Sequence, residues 1–227
     1  PPRPRRPRVA EATLRLFHPT LVFWSVFLIA VHWSAEGARG DLKDLGVMDS
    51  ERVAQGEWFR LFSAVTLHAD VEHLVGNLVG GFLFVGAAAT QWGVGLALLL
   101  SYLAGASGNA LGWGLYEPPH QSLGASGMVF GALGLCLATP YFRTPGTGWR
   151  RRAVAATVML FALFGLDPSS DVVAHVGGLL GGVVIGWGIR LGWRRDGLPP
   201  DWVDALALVL LGFAILIPWL TAFRLGS

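Results

Sequence analysis

Seven runs of mostly apolar residues, at about 17–35, 67–90, 92–114, 123–140, 152–166, 172–191 and 203–222, divide this chain. Each approaches the roughly 20 residues that a helix needs to cross the hydrocarbon core of a bilayer. In lipid every backbone polar group must be satisfied internally, and a helix does this within its own segment. The runs therefore predict an all-α polytopic membrane protein with seven spans. Composition agrees, since 53% of the 227 residues are hydrophobic and only 14% charged, where soluble domains carry about 25%.

The ends and connections carry the charge. Residues 1–16 form a Pro/Arg-rich tail that cannot bury a core and reads as a cytoplasmic anchor. The first apolar run is too long for a signal-peptide core and has no convincing small-residue cleavage site, so it reads as a retained first helix. Six helices are expected over 17–191, followed over 192–227 by a cytoplasmic loop and a seventh helix. With the N-terminus inside, cytoplasmic segments hold twelve basic residues and outer segments five, so the positive-inside rule predicts N-in, C-out. Sixteen of the seventeen basic residues are arginine, a weak compositional pointer to a bacterial cell membrane. The single cysteine, Cys136, lies in an apolar run and reads as packing. Glu36–Thr66 is too polar to cross and rich in aromatics, which suits an interfacial loop.

Two polar residues at the heads of apolar runs stand out. Ser126 lies in Gly124-Ala125-Ser126-Gly127 and His175 in Ala174-His175-Val176-Gly177-Gly178. A serine hydroxyl is a poor nucleophile without a base in reach, and an ionisable residue within a membrane span is a functional-site hypothesis by default. Both positions fall near the outer ends of their helices in the predicted topology. Gly178, Gly182 and Gly186 follow His175 on one helical stripe, and Gly127 and Gly131 form a small-xxx-small pair beside Ser126. Small residues at such spacing let two helices approach closely in lipid, which a serine–histidine contact would need. Plain helix packing explains the glycines but not the buried histidine.

Four motifs in order resemble the rhomboid family of intramembrane serine proteases: Trp58-Phe59-Arg60 in the first loop, H-x4-H-x3-N (His68, His73, Asn77), G-x-S-G (Gly124 to Gly127) and A-H-x-x-G (Ala174, His175, Gly178). The resemblance implies a six-helix bundle, here with one extra C-terminal helix, and a Ser126/His175 dyad open to the outer face. It implies oxyanion stabilisation by the Ser126 N–H, Asn77 and His73, and structural roles for Arg60, Gly124, Gly127 and Gly178. It also implies membrane-protein substrates within the bilayer, no metal, no cofactor and no nucleic acid. The alternative is a rhomboid-like pseudoprotease that binds membrane proteins without cutting them, against which both dyad residues are retained. Phe130 replaces the family's frequent tyrosine four residues after the serine and can stack on the histidine without donating a hydrogen bond. His68 is expected near the outer end of its helix, anchoring a hydrogen-bond network or the loop. Asp171, after a Pro-Ser-Ser turn, is expected to be a helix N-cap rather than a third member of a triad.

Overall fold

The computed structural model describes residues 18–37, 41–138, 147–166, 170–192 and 198–226. Expectations for the tail at 1–16, for Arg39, Arg143, Arg194 and Arg195, and for the 167–169 turn lie outside the described residues. Among the described residues seven helices organise the chain: α1 (Pro19–Gly37), α2 (Val71–Trp92), α3 (Val94–Leu115), α4 (Ser126–Leu137), α5 (Thr147–Phe164), α6 (Val172–Gly192) and α7 (Asp201–Gly226). Helices α1, α2, α3, α6 and α7 are long and apolar enough to cross a membrane, whereas α4 and the apolar part of α5 are shorter.

Three boundaries differ from expectation. The span predicted at 123–140 is a helix of 12 residues, about 18 Å long against roughly 30 Å of hydrocarbon. Gly124 at φ +132 cannot belong to a right-handed helix, so α4 starts only at Ser126. Helix α2 begins at Val71 rather than 67, because the extended Asp70 caps it and accepts the His73 N–H at 2.8 Å. Helix α5 begins at Thr147, ahead of the predicted 152. Within α2, a π-helical turn over Gly81–Val85 interrupts the α-helical register.

The part of the first loop over residues 41–66 is more ordered than an irregular interfacial loop. It contains short helices at Asp41–Gly46, Ser50–Ala54 and Arg60–Ser63, and strand β1 (Met48–Asp49), which pairs antiparallel with β2 (Gln121–Ser122). Arg60 staples it together. Its side chain is only 2% exposed, and its guanidinium donates to Asp44 O at 2.8 Å, Val47 O at 2.9 Å and the Glu57 carboxylate at 2.5 Å. A buried charge is tolerated when it is paired and hydrogen-bonded in this way. Lys43 bonds both the Glu36 carboxylate and Ala69 O, tying the end of α1 to the entrance of α2.

Helix α3 is the axis: 72% of its apolar window is buried, against 22% for α1 and α7. It packs with α4 and α6 at backbone distance. A Cβ on Gly178 would stand 2.1 Å from Gly127 O, one on Gly182 2.0 Å from Gly131 O, and one on Gly108 of α3 2.3 Å from Ala174 O. The expected small-residue stripe is thus a continuous glycine seam.

Helix α7 closes the opposite side of α3. Pro218 has no N–H to offer the Ala214 carbonyl one turn earlier, and the Tyr102 hydroxyl of α3 sits 3.3 Å from that oxygen and 3.0 Å from Phe62 O. Trp219 Nε1 donates to Thr66 Oγ1 at 3.1 Å. At the far end, Asp204 Oδ1 accepts the N–H groups of Gly95 (2.8 Å) and Leu96 (3.1 Å), capping α3 from another helix. Asp204→Ala should therefore lower stability by about 1 kcal/mol, the usual scale of a lost cap, and Asp204→Asn should retain most of it; thermal unfolding of the full chain in one detergent checks both.

Candidate active site

Ser126 opens α4 and is half-buried. As the first helical residue its N–H has no intrahelical acceptor. The segment leading to it is fixed by Gly124, whose N–H bonds Ala64 O at 3.0 Å and whose positive φ suits glycine. A Cβ on Gly124 would meet the His73 ring at 2.6 Å and lie 3.6 Å from Asn77 Nδ2. The approach to Ser126 thus runs directly over the imidazole of His73 and the amide of Asn77, which share one face of α2 at a spacing of one turn.

His175 is 3% exposed and sits one turn into α6. Its Nδ1 lies 3.0 Å from Gly165 O. A carbonyl oxygen only accepts, so Nδ1 carries a proton and donates it to Gly165 O. The ring also rests on Phe130, centroids 4.7 Å apart and planes tilted by 43°. Phe130 is one turn after Ser126, so His175 lies along the Ser126 face of α4. Gly127 and Gly178 put the two backbones in contact beside the pair. Among the described residues no hydrogen bond joins Ser126 Oγ to His175, and such contacts commonly tighten only when substrate is bound.

Gly165 was not singled out in the sequence, because a backbone carbonyl has no side-chain signature. Its glycine identity was the available trace. A Cβ there would stand 2.8 Å from Phe161 O and 3.1 Å from Phe130 Cζ. The Gly165 carbonyl supplies the fixed orientation for which a hydroxyl stacked on the histidine is not needed.

Asn77 is 6% exposed and its Nδ2 is buried without a hydrogen-bond partner among the described residues. Leaving such a donor unpaired costs about 1–3 kcal/mol, so its position facing Gly124 points to a role other than stability. His68 departs from expectation. It precedes α2, is fully buried, and neither ring nitrogen has a hydrogen-bond partner among the described residues; the ring packs edge-on against His73, centroids 5.4 Å apart. Burial pushes its pKa down to about 3.

Asp171 is the expected N-cap: its Oδ1 accepts the Ala174 N–H at 2.9 Å. The same carboxylate does not reach His175, whose Nδ1 faces Gly165. No group of three His, Cys, Asp or Glu side chains is close enough to hold a metal ion among the described residues.

Two outcomes follow from this geometry. Gly124→Ala, strained in backbone and driven into His73, should displace the segment before Ser126 and cut labelling of Ser126 by a fluorophosphonate by 10-fold or more, on the order expected for a misplaced reacting group; mass spectrometry of the adduct measures it. An exposed imidazole titrates near 6.5 while buried His68 stays neutral to about 3, so unfolding takes up a proton as pH falls through this window. Stability should therefore drop from about pH 6.5 towards 3, and a melting series should show a shallower decline for His68→Asn.

A Rhomboid domain family model matches residues 55–191. The rhomboid protease GluP of Bacillus subtilis is 32% identical over 144 residues, covering 60% of this chain and 27% of that protein. YdcA of the same organism is 34% identical over 136 residues, covering 59% of this chain and 68% of the relative. RHOMBOID-like protein 6, mitochondrial, of Arabidopsis thaliana is 34% identical over 164 residues, covering 68% of this chain and 52% of the relative. The chain thus spans about a quarter of the first relative and half of the third. With its helical bundle and glycine seam, the chain belongs to the rhomboid family.

Proposed function

We propose that this chain is an intramembrane serine endopeptidase that cuts transmembrane segments near the outer face of the membrane. The observation that carries the reading is the His175 ring, fixed as the Nδ1–H tautomer by Gly165 O and laid on Phe130 along the Ser126 face of α4. In this reading His175 Nε2 takes the Ser126 proton as Oγ attacks the scissile carbonyl, then delivers it to the leaving amine. Water attacks the acyl-enzyme by the same route and frees Ser126. The oxyanion is met by the Ser126 N–H, by the buried Nδ2 of Asn77 and by His73, all gathered around Gly124. A peptide bond in an intact helix is shielded by its own hydrogen bonds, so preferred substrates carry helix-weakening residues near the cut.

The proposed setting is a bacterial cell membrane, N-terminus in and C-terminus out, supported by the arginine distribution. After Cys136→Ser, Glu117→Cys should react with an impermeant maleimide outside intact cells and Arg151→Cys should not; the reverse would invert the orientation.

Co-expression with tagged single-pass membrane proteins tests the chemistry. Ser126→Ala, His175→Ala and the double variant should lose nearly equal activity, because each partner is useless alone. Asn77→Ala removes one of several donors and should lose about 100- to 1,000-fold. If folded wild type captures such proteins without cutting them, and Ser126→Ala captures them equally well, the pseudoprotease reading replaces this one.

A further inference from the structure

The Asp171 carboxylate has two oxygens and uses them on different elements. Oδ1 caps α6 at Ala174, and Oδ2 lies 3.2 Å from His120 Nε2, with the two side chains 13% and 20% exposed. His120 belongs to the segment that runs on into Gly124 and Ser126. It is held there from several sides: its N–H donates to Ser50 Oγ and its carbonyl accepts the Ser50 N–H, both at 2.9 Å, its ring stacks on Tyr116 at 4.1 Å, and the next residue opens β2. Gly112 of α3 lies beneath the pair, where a Cβ would touch Asp171 Oδ2 at 3.6 Å and His120 Nε2 at 3.9 Å.

We propose that His120, acting through Asp171, is a positioning residue that sets His175 against Ser126; the inference rests on the serine-protease reading above. The glycine contacts fix the two helices relative to each other from Gly127 on α4 and from Ala174 on α6, whose carbonyl faces both Gly127 and Gly108. Ahead of the seam, the segment entering α4 and the start of α6 need a second point of attachment, or the pair can rock about the glycines. The His120–Asp171 bond is that second point. It joins the Ser126 segment to the residue whose own carbonyl accepts the His175 N–H at 3.0 Å. The donor is an imidazole N–H on a ring stacked and anchored by its backbone, and the acceptor is a short side chain already committed to the helix cap, so neither end is free to swing.

The test measures the rate at which a fluorophosphonate labels Ser126 in the full chain, together with its melting temperature. His120→Ala removes the donor. Asp171→Ser keeps a cap of equal quality but is too short to reach His120. Both should label 10-fold or more slowly, the scale of a small misplacement of reacting groups, while melting within a few degrees of wild type. The double variant should be no slower than the slower single one, as for a shared contact. His120→Gln, whose amide can donate to Asp171, should regain most of the rate. Wild-type labelling in folded His120→Ala or Asp171→Ser would overturn the inference, as would slow labelling that merely tracks a fall in melting temperature. Should His120→Ala fail to fold, Asp171→Ser and His120→Gln decide by the same readings. No label on wild-type Ser126 would instead overturn the protease reading, and this inference with it.

Discussion

The backbone contact between α4 and α6 is what the rest of the structure depends on. Helices carrying ordinary side chains keep their axes about 8–10 Å apart, whereas here the carbonyls of Gly127 and Gly131 occupy the space that Cβ atoms on Gly178 and Gly182 would need. Lipid offers no hydrophobic drive for helices to associate, so close packing of small residues takes its place. Helix α3 enters the same seam through Gly108 against Ala174 O and Gly105 against Met128. Three helices in backbone contact leave little room for relative motion, and the heads of two of them carry Ser126 and His175.

Around this seam, orientation comes from the backbone rather than from a third acidic side chain. The Gly165 carbonyl holds Nδ1 of His175, and the Asp70 and Asp171 side chains act on helix N–H groups. A carboxylate beside His175 would bring a desolvation cost inside a bilayer; a carbonyl dipole orients the ring without a net charge. The Asn77 Nδ2, buried and without a hydrogen-bond partner among the described residues, contrasts with this economy. That Nδ2 faces the Gly124 turn that leads into Ser126.

Helices α1 and α7 lie outside the residues matched by the family model, yet they attach at definite points. Lys43 joins the end of α1 to Ala69 at the mouth of α2, and Trp219 of α7 joins Thr66, two residues before His68. Asp204 caps α3 from α7. The first loop, with Arg60 at its centre, receives α7 on one side and β2 on the other. A change in either flanking helix therefore reaches the segment before His73 through hydrogen bonds as well as through packing.

The sequence by itself determined the all-α class, the apolar runs that form the seven longest helices among the described residues, and the polar residues that stand out in them. Apolar length and glycine spacing are local signals, and each is written within a single helix. The sequence also carried the Asp171 cap, since a turn followed by an aspartate before an apolar run is a local pattern. Only the tertiary structure decided what depends on contacts distant in the chain. The start of α4 follows Gly124, which is pressed against His73 some fifty residues earlier, and the orientation of His175 follows from the carbonyl of Gly165, just past the end of α5. The meeting of His120 with Asp171 and the remote capping of α3 by Asp204 are of the same kind. Backbone carbonyls and helix-end N–H groups are identical in every residue, so their partners become readable only once the helices have been placed.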